Sequence, residues 1–183
     1  VAIDVLRWGD HLEERWRNGR GTTTVIASSP PGSADFDWRI SIAQVAGAAE
    51  FSSFPGVDRV IMPLDDEPIT LVIDGERHDL ERLRPFAFDG GASTRCEVAG
   101  AMRDLNVMWR REVVNGTVEV RASGRLDAVD GAVRFVVALA GRAVVAGHTL
   151  SPGDAVRAER ESVDIAGEGT VAVISLVRRQ AEG

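Results

Sequence analysis

The stretch RFVVALAGRAVVAGHTLSPGDAVRAE, residues 134–159, decides how the fold is read. Short apolar, β-branched runs are cut by Gly141, Gly147 and the Pro152-Gly153 pair, the pattern of strands joined by tight turns. It reads as a strand, a turn, a short hairpin holding His148, and a strand marked by proline. RVIMPLDDEPITLVIDGERHDLERLRPFAFDG, residues 59–90, gives the same order, with His78 in its hairpin. The two copies align Arg59 with Arg134, and Leu83–Pro85 with Leu150–Pro152. The following segments, RDLNVMWRR and AVISLVRR, bring Arg110 onto Arg178. A repeat of this kind predicts two related β-barrels in one chain.

Outside the repeat the pattern stays β. TTTVIA, WRISIAQV, VEVRAS and SVDIAG are short and rich in β-branched residues, mostly bounded by turn formers. Many such strands at close spacing indicate an antiparallel, all-β sandwich or barrel. WGDHLEERW supplies at most one short helical turn, and SSPPGSADFD reads as a surface loop. The expected division is 1–112 and 113–183, near RREVVNGTVEV, where Asn115-Gly116 is a turn signal. The N-terminal strands are open to being shared between the barrels. Residues 1–58 have no counterpart of equal length in the second half, so added function is expected there.

Composition narrows the function. The net charge of −7 and the lack of a basic stripe argue against nucleic acid as a partner. Cys96, the one cysteine, cannot close an internal disulfide, which suits a reducing compartment. No signal-like N-terminus is seen, and the longest apolar run is broken by Arg142. The expectation is a cytoplasmic protein with no membrane partner. All 21 basic residues are arginine, so a P-loop lysine and Schiff-base chemistry are excluded.

The three histidines, His11, His78 and His148, have no spacing that would gather imidazoles on one face, so no metal or other cofactor is expected. No G-x-S-x-G elbow is present, and Cys96 reads as a small residue in an alternating strand. The informative feature is polar residues placed at strand spacing. Arg39 and Ser41 share one face of WRISIAQV, and Asp104, Asn106 and Met108 share one face of RDLNVMWRR. Those faces either meet water or line a small polar cavity suited to an acid.

In order and spacing, WRNGRGTT (16–23), WRISIA (38–43), FSSFPGVDR (51–59) and DLNVMWRR (104–111) resemble the HutD/Ves family of bacterial bicupins, where HutD stands for histidine utilization protein D. The resemblance implies two cupin-type, jelly-roll-like barrels, with the motifs in the first and a degenerate second. It also implies a binder of a small acidic metabolite of histidine degradation, such as N-formylglutamate or urocanate, that tunes the pathway. The matching site positions are Trp16, Asn18, Thr22, Arg39, Ser41, Ser52, Asp58, Arg59, Asp104 and Asn106. Arg39 or Arg59 would pair with a ligand carboxylate, and Arg59 is alternatively held by Asp58 or Asp104. The rival expectation is a metal-independent isomerase or hydrolase with Asp104 or Asp58 as base. Exposed edge strands also leave room for a homodimer.

Overall fold

The computed structural model describes residues 3–180 and is all-β apart from one 3₁₀ turn at Trp8–Asp10. In chain order its strands are β1 (Ile3–Leu6), β2 (Glu13–Arg15), β3 (Gly21–Ser29), β4 (Trp38–Ala46), β5 (Ala49–Glu50), β6 (Val57–Pro63), β7 (Ile69–Ile73), β8 (Glu76–Leu80), β9 (Phe86–Asp89) and β10 (Thr94–Val98). They continue with β11 (Ala101–Arg110), β12 (Val114–Arg121), β13 (Gly124–Leu126), β14 (Ala132–Ala140), β15 (Ala143–Val145), β16 (His148–Leu150), β17 (Ala155–Glu159), β18 (Val163–Gly167) and β19 (Thr170–Arg178). Among the described residues no helix is long and apolar enough to cross a membrane.

The chain divides into two compact units. One is Leu12–Glu112, built from a six-stranded sheet, β2-β3-β4-β11-β6-β9, and a four-stranded sheet, β5-β10-β7-β8. Buried residues of both sheets, including Val45, Ile61 and Met102 from the first and Ile69, Leu71 and Cys96 from the second, form one core. The sheets therefore pack face to face, and among the described residues none closes into a barrel.

The other unit joins the residues up to His11 with those from Val113 onward. Its sheets are β1-β17-β14-β19-β12 and β13-β18-β15-β16, around a core that includes Val136, Val173, Val145 and Leu150. The strand Ile3–Leu6, from the N-terminal part that the sequence left open to sharing, thus falls in this unit. Ile3–Leu6 pairs antiparallel with β17, where alternating Ile3 and Val5 add to this second core. Asp154 fixes the connection, accepting the Trp8 N–H at 2.9 Å and Arg7 Nη1 at 2.8 Å.

The repeat read from residues 59–90 and 134–159 is present as topology. The order β4-β11-β6-β9 in one unit matches β12-β19-β14-β17 in the other, and β5-β10-β7-β8 matches β13-β18-β15-β16. Two details of the sequence reading are corrected. Arg59 pairs with Met108 and Arg134 with Ser175, so Arg110 corresponds to Val177, one residue from the expected Arg178. Asn115-Gly116 lies inside β12, paired with Val177 and Leu176, and the turn falls at 111–113. A turn-forming dipeptide was outweighed there by eight residues of ladder to β19.

Candidate functional site

Antiparallel register places directly opposed residues on the same face of a sheet. Across β4, β11 and β6 this produces successive rows: Arg39, Met108 and Arg59; then Ser41, Asn106 and Ile61; then Ala43, Asp104 and Pro63. With strands about 5 Å apart, the two arginines start about 10 Å from each other, on either side of Met108. The opposite face, with Ile40, Ile42, Leu105 and Val107, is buried and apolar. The grouping of Asp104, Asn106 and Met108 expected from alternation is therefore the observed one. Over the polar face opens a cleft of about 440 Å³, bordered also by Trp16, Phe51 and Phe54.

Arg59 is 7% exposed, and its Nε and Nη2 donate to Asn106 Oδ1 at 3.0 and 2.8 Å. Its guanidinium lies 4.6 Å from the Phe51 ring centre and 5.3 Å from that of Phe88, positions favourable for a cation over a π face. Asn106 Nδ2 donates in turn to Asp104 Oδ1. This orientation of the amide is dictated by its neighbours, since Arg59 can only donate and an ionised Asp104 can only accept. Asp104 is fully buried, and among the described residues its second oxygen, Oδ2, has no hydrogen-bond partner. Burial pushes the Asp104 carboxyl up to about 7, against the opposing pull of Arg59 and the Asn106 hydrogen bond. Burial likewise lowers Arg59 to about 10, with Asp104 opposing and Arg39 adding to the effect, so Arg59 is a cation at neutral pH.

Arg39 is held differently. Its guanidinium lies over Phe36 at 4.7 Å and Phe54 at 5.6 Å, and Nη2 makes a weak contact to Met108 Sδ at 3.8 Å. Arg110 braces this shelf, its Nε donating to the Phe36 carbonyl at 3.0 Å. Arg39 Nε is enclosed without an acceptor, and among the described residues no carboxylate lies within ion-pair distance of this arginine. Burial lowers its pKa, with the more distant Glu14 opposing. The cleft also carries Arg15 and Arg17, against Glu50 as its one lining carboxylate. Within an acidic chain this is a locally cationic surface.

The loop WRNGRG shapes the mouth. Trp16 N–H donates to the Gly21 carbonyl at 2.9 Å, Gly19 N–H donates to the Trp16 carbonyl at 3.0 Å, and Trp16 Nε1 donates to Thr23 Oγ1 at 2.8 Å. Gly19 turns the chain at φ +68°, and Gly21 sits so close that a Cβ there would lie 2.7 Å from the Gln44 carbonyl oxygen and 2.9 Å from the indole. Asn18 ties down its own loop through Oδ1, which accepts the Arg20 N–H at 3.0 Å, while still bordering the cleft.

Of the expected site residues, Trp16, Asn18, Arg39, Ser41, Ser52, Arg59 and Asn106 line this cleft. Thr22 does not. It pairs with Gln44 while Thr23 pairs with Ala43, so Thr23 points inward and Thr22 outward to Glu13, at 3.1 Å. Asp58 alternates away from Arg59 and forms an ion pair with Arg111 at 3.0 Å. Asp104 sits behind Asn106 and borders no part of the cleft, so neither aspartate expected as a base lines it. The sequence reading missed Arg15, Arg17, Thr23, Glu50 and Phe54 as lining groups. Of these, Thr23 becomes legible only once its register with β4 is known.

Among the described residues no three His, Cys, Asp or Glu side chains gather as a metal set. His78 packs against the Phe86 ring at 5.2 Å. Cys96 is buried in the core, where burial pushes its thiol up to about 11 and keeps it protonated.

Paired sheets repeated in two units, with an arginine-lined cleft in one, define a cupin-like β-sandwich protein. The fold is shared with the bacterial pirin YhhW from Escherichia coli in complex with nickel(II), at TM-score 0.71, 8% identity, 96% of this chain and 99% of that one. HutD from Pseudomonas fluorescens SBW25 superposes at TM-score 0.89 with 29% identity, covering 98% of this chain and all of that one. Protein Ves of Citrobacter koseri is 44% identical over 108 residues, 57% of this chain and 56% of that protein, so the match spans little more than half of that relative. The HutD family model matches residues 9–174, and the chain belongs to the HutD family.

Proposed function

We propose that the cleft of the Leu12–Glu112 unit binds a small organic acid of histidine degradation, such as N-formylglutamate or urocanate, and that binding tunes histidine utilization. The observation that carries the reading is Arg39, a cation lining a cleft without a carboxylate partner among the described residues. A guanidinium offers paired N–H groups that match a carboxylate, and a half-buried one on an aromatic shelf is already partly desolvated and oriented. Arg59 supplies a second anchor. Two of its five N–H donors are engaged by Asn106, which leaves three. Ser41 and Ser52 add neutral hydrogen-bonding groups, and Trp16, Phe51 and Phe54 an apolar wall. On this reading the two units are the two halves of a bicupin, divided near residue 112, and the first half holds the ligand. A thermal-shift panel of N-formylglutamate, urocanate and glutamate tests it. A rise in Tm with at least one acid, lost in Arg39→Ala, is the expected result, and no shift with any of them contradicts it.

A further inference from the structure

We infer that a carboxylate entering this cleft is taken up together with a proton, which settles on Asp104. The inference rests on the acid-binding reading and concerns how that site is regulated. With Asp104 ionised, Arg59, Asn106 and Asp104 form a buried chain whose two charges cancel, linked by hydrogen bonds at both ends of one amide. A ligand carboxylate on Arg59 places a second negative charge on the same cation. Two carboxylates then share one guanidinium, and the one held by fewer donors is the one to be neutralised. That one is Asp104. Among the described residues its Oδ1 accepts a single side-chain N–H, and its Oδ2 is enclosed with no donor. A proton from solvent on Oδ2 leaves the Asn106 hydrogen bond to Oδ1 in place, so the orientation of Arg59 is kept.

The cleft's other cations, Arg39, Arg15 and Arg17, can also balance a ligand charge, but among the described residues none of them pairs with Asp104 itself. Its register neighbours on β4 and β6 are Ala43 and Pro63, which do not titrate. From β10 comes Cys96, a neutral thiol whose pKa lies near 11. From β6 comes Arg59, the cation already counted, and Arg39 on β4 acts on Arg59. Glu50 lines the cleft and is not among the groups that act on Asp104. The free carboxyl, poised at about 7, exchanges its proton within the physiological range.

Titration calorimetry with N-formylglutamate, and with glutarate as a second probe, tests this between pH 6 and 8.5 in buffers of different ionisation enthalpy. Both probes are close to fully ionised from about pH 7 upward, since free carboxylates titrate near 4 and the second of a dicarboxylate somewhat higher, so the proton count is read there. Expected are net proton uptake on binding near neutral pH and affinity that falls as pH rises above it, by up to about tenfold per pH unit. Asp104→Asn, which keeps the shape and the neutral state, should bind without uptake and with affinity independent of pH. In the wild type, the carboxyl-carbon NMR titration of Asp104 should move to a higher midpoint with saturating probe, a readout that needs no variant. Binding with heat independent of buffer and flat affinity, or an unmoved Asp104 midpoint, overturns the inference and leaves the acid-binding reading standing. No binding of either probe at any pH removes both.

Discussion

At the scale of single residues, Asn106 carries more than its place in the cleft suggests. It couples a buried cation to a buried carboxyl, so removing it leaves both without this hydrogen bond. Asn106→Ala should cost about 2–4 kcal/mol in urea denaturation, well above an ordinary surface substitution. Asp104 gives a pH signature of opposite sign to most native carboxylates. Its folded pKa, about 7, lies above the unfolded value, so between about pH 4 and 7 the native state holds a proton that the unfolded chain has released. Its contribution to stability is therefore greatest in acid and declines as pH rises through that window. Comparing wild type and Asp104→Asn by thermal denaturation from pH 4.5 to 8 should show this decline only in the wild type. Alternation alone put Asp104, Asn106 and Met108 on one face. It could not say that Asp104 would be sealed behind Asn106, because depth depends on the second sheet and not on period.

At the scale of elements, β3 and the loop before it show why some of the site was illegible. Three consecutive threonines offer no apolar alternation, so nothing local tells which of Thr22 and Thr23 faces inward. The ladder to β4 decides it, and that ladder slips at a bulge between Val25 and Ala27. The glycines of the loop were legible as turn formers, yet Gly21 is required for a different reason, the close approach of Gln44 and Trp16. Gly21→Ala should destabilise the protein by about 1–3 kcal/mol through overpacking. It should also weaken acid binding by displacing the indole, seen as a change in Trp fluorescence and a higher Kd. An unchanged Kd with an unchanged spectrum would show that the loop yields without moving Trp16.

At the scale of the whole molecule, the two units repeat one topology, and only one of them carries the polar relay. By register with Arg134, the positions equivalent to Asp104 and Asn106 are Val171 and Val173, both buried in an apolar core. Arg134 itself donates to the Asp127 carbonyl. The Leu12–Glu112 unit adds β2 and β3 beyond β4, whereas β12, the equivalent of β4, is a sheet edge. The excess N-terminal length noticed in the sequence thus supplies Trp16, Asn18 and Thr23 to the cleft, although Ile3–Leu6 pairs with β17 instead. The sequence left such sharing open but could not name the partner, since a four-residue strand carries no mark of it. Asp154, which ties it down, should be sensitive to change. Asp154→Ala forfeits hydrogen bonds from Trp8, Ser151 and Arg7 and should lower stability by about 2–4 kcal/mol without altering acid affinity. The most direct test of the central claim is calorimetric titration of N-formylglutamate into the wild type and Arg39→Ala. Saturable binding by the wild type, abolished in the variant at an unchanged Tm, is the predicted result. No saturable binding by the wild type, or equal affinity in a folded Arg39→Ala, would contradict it.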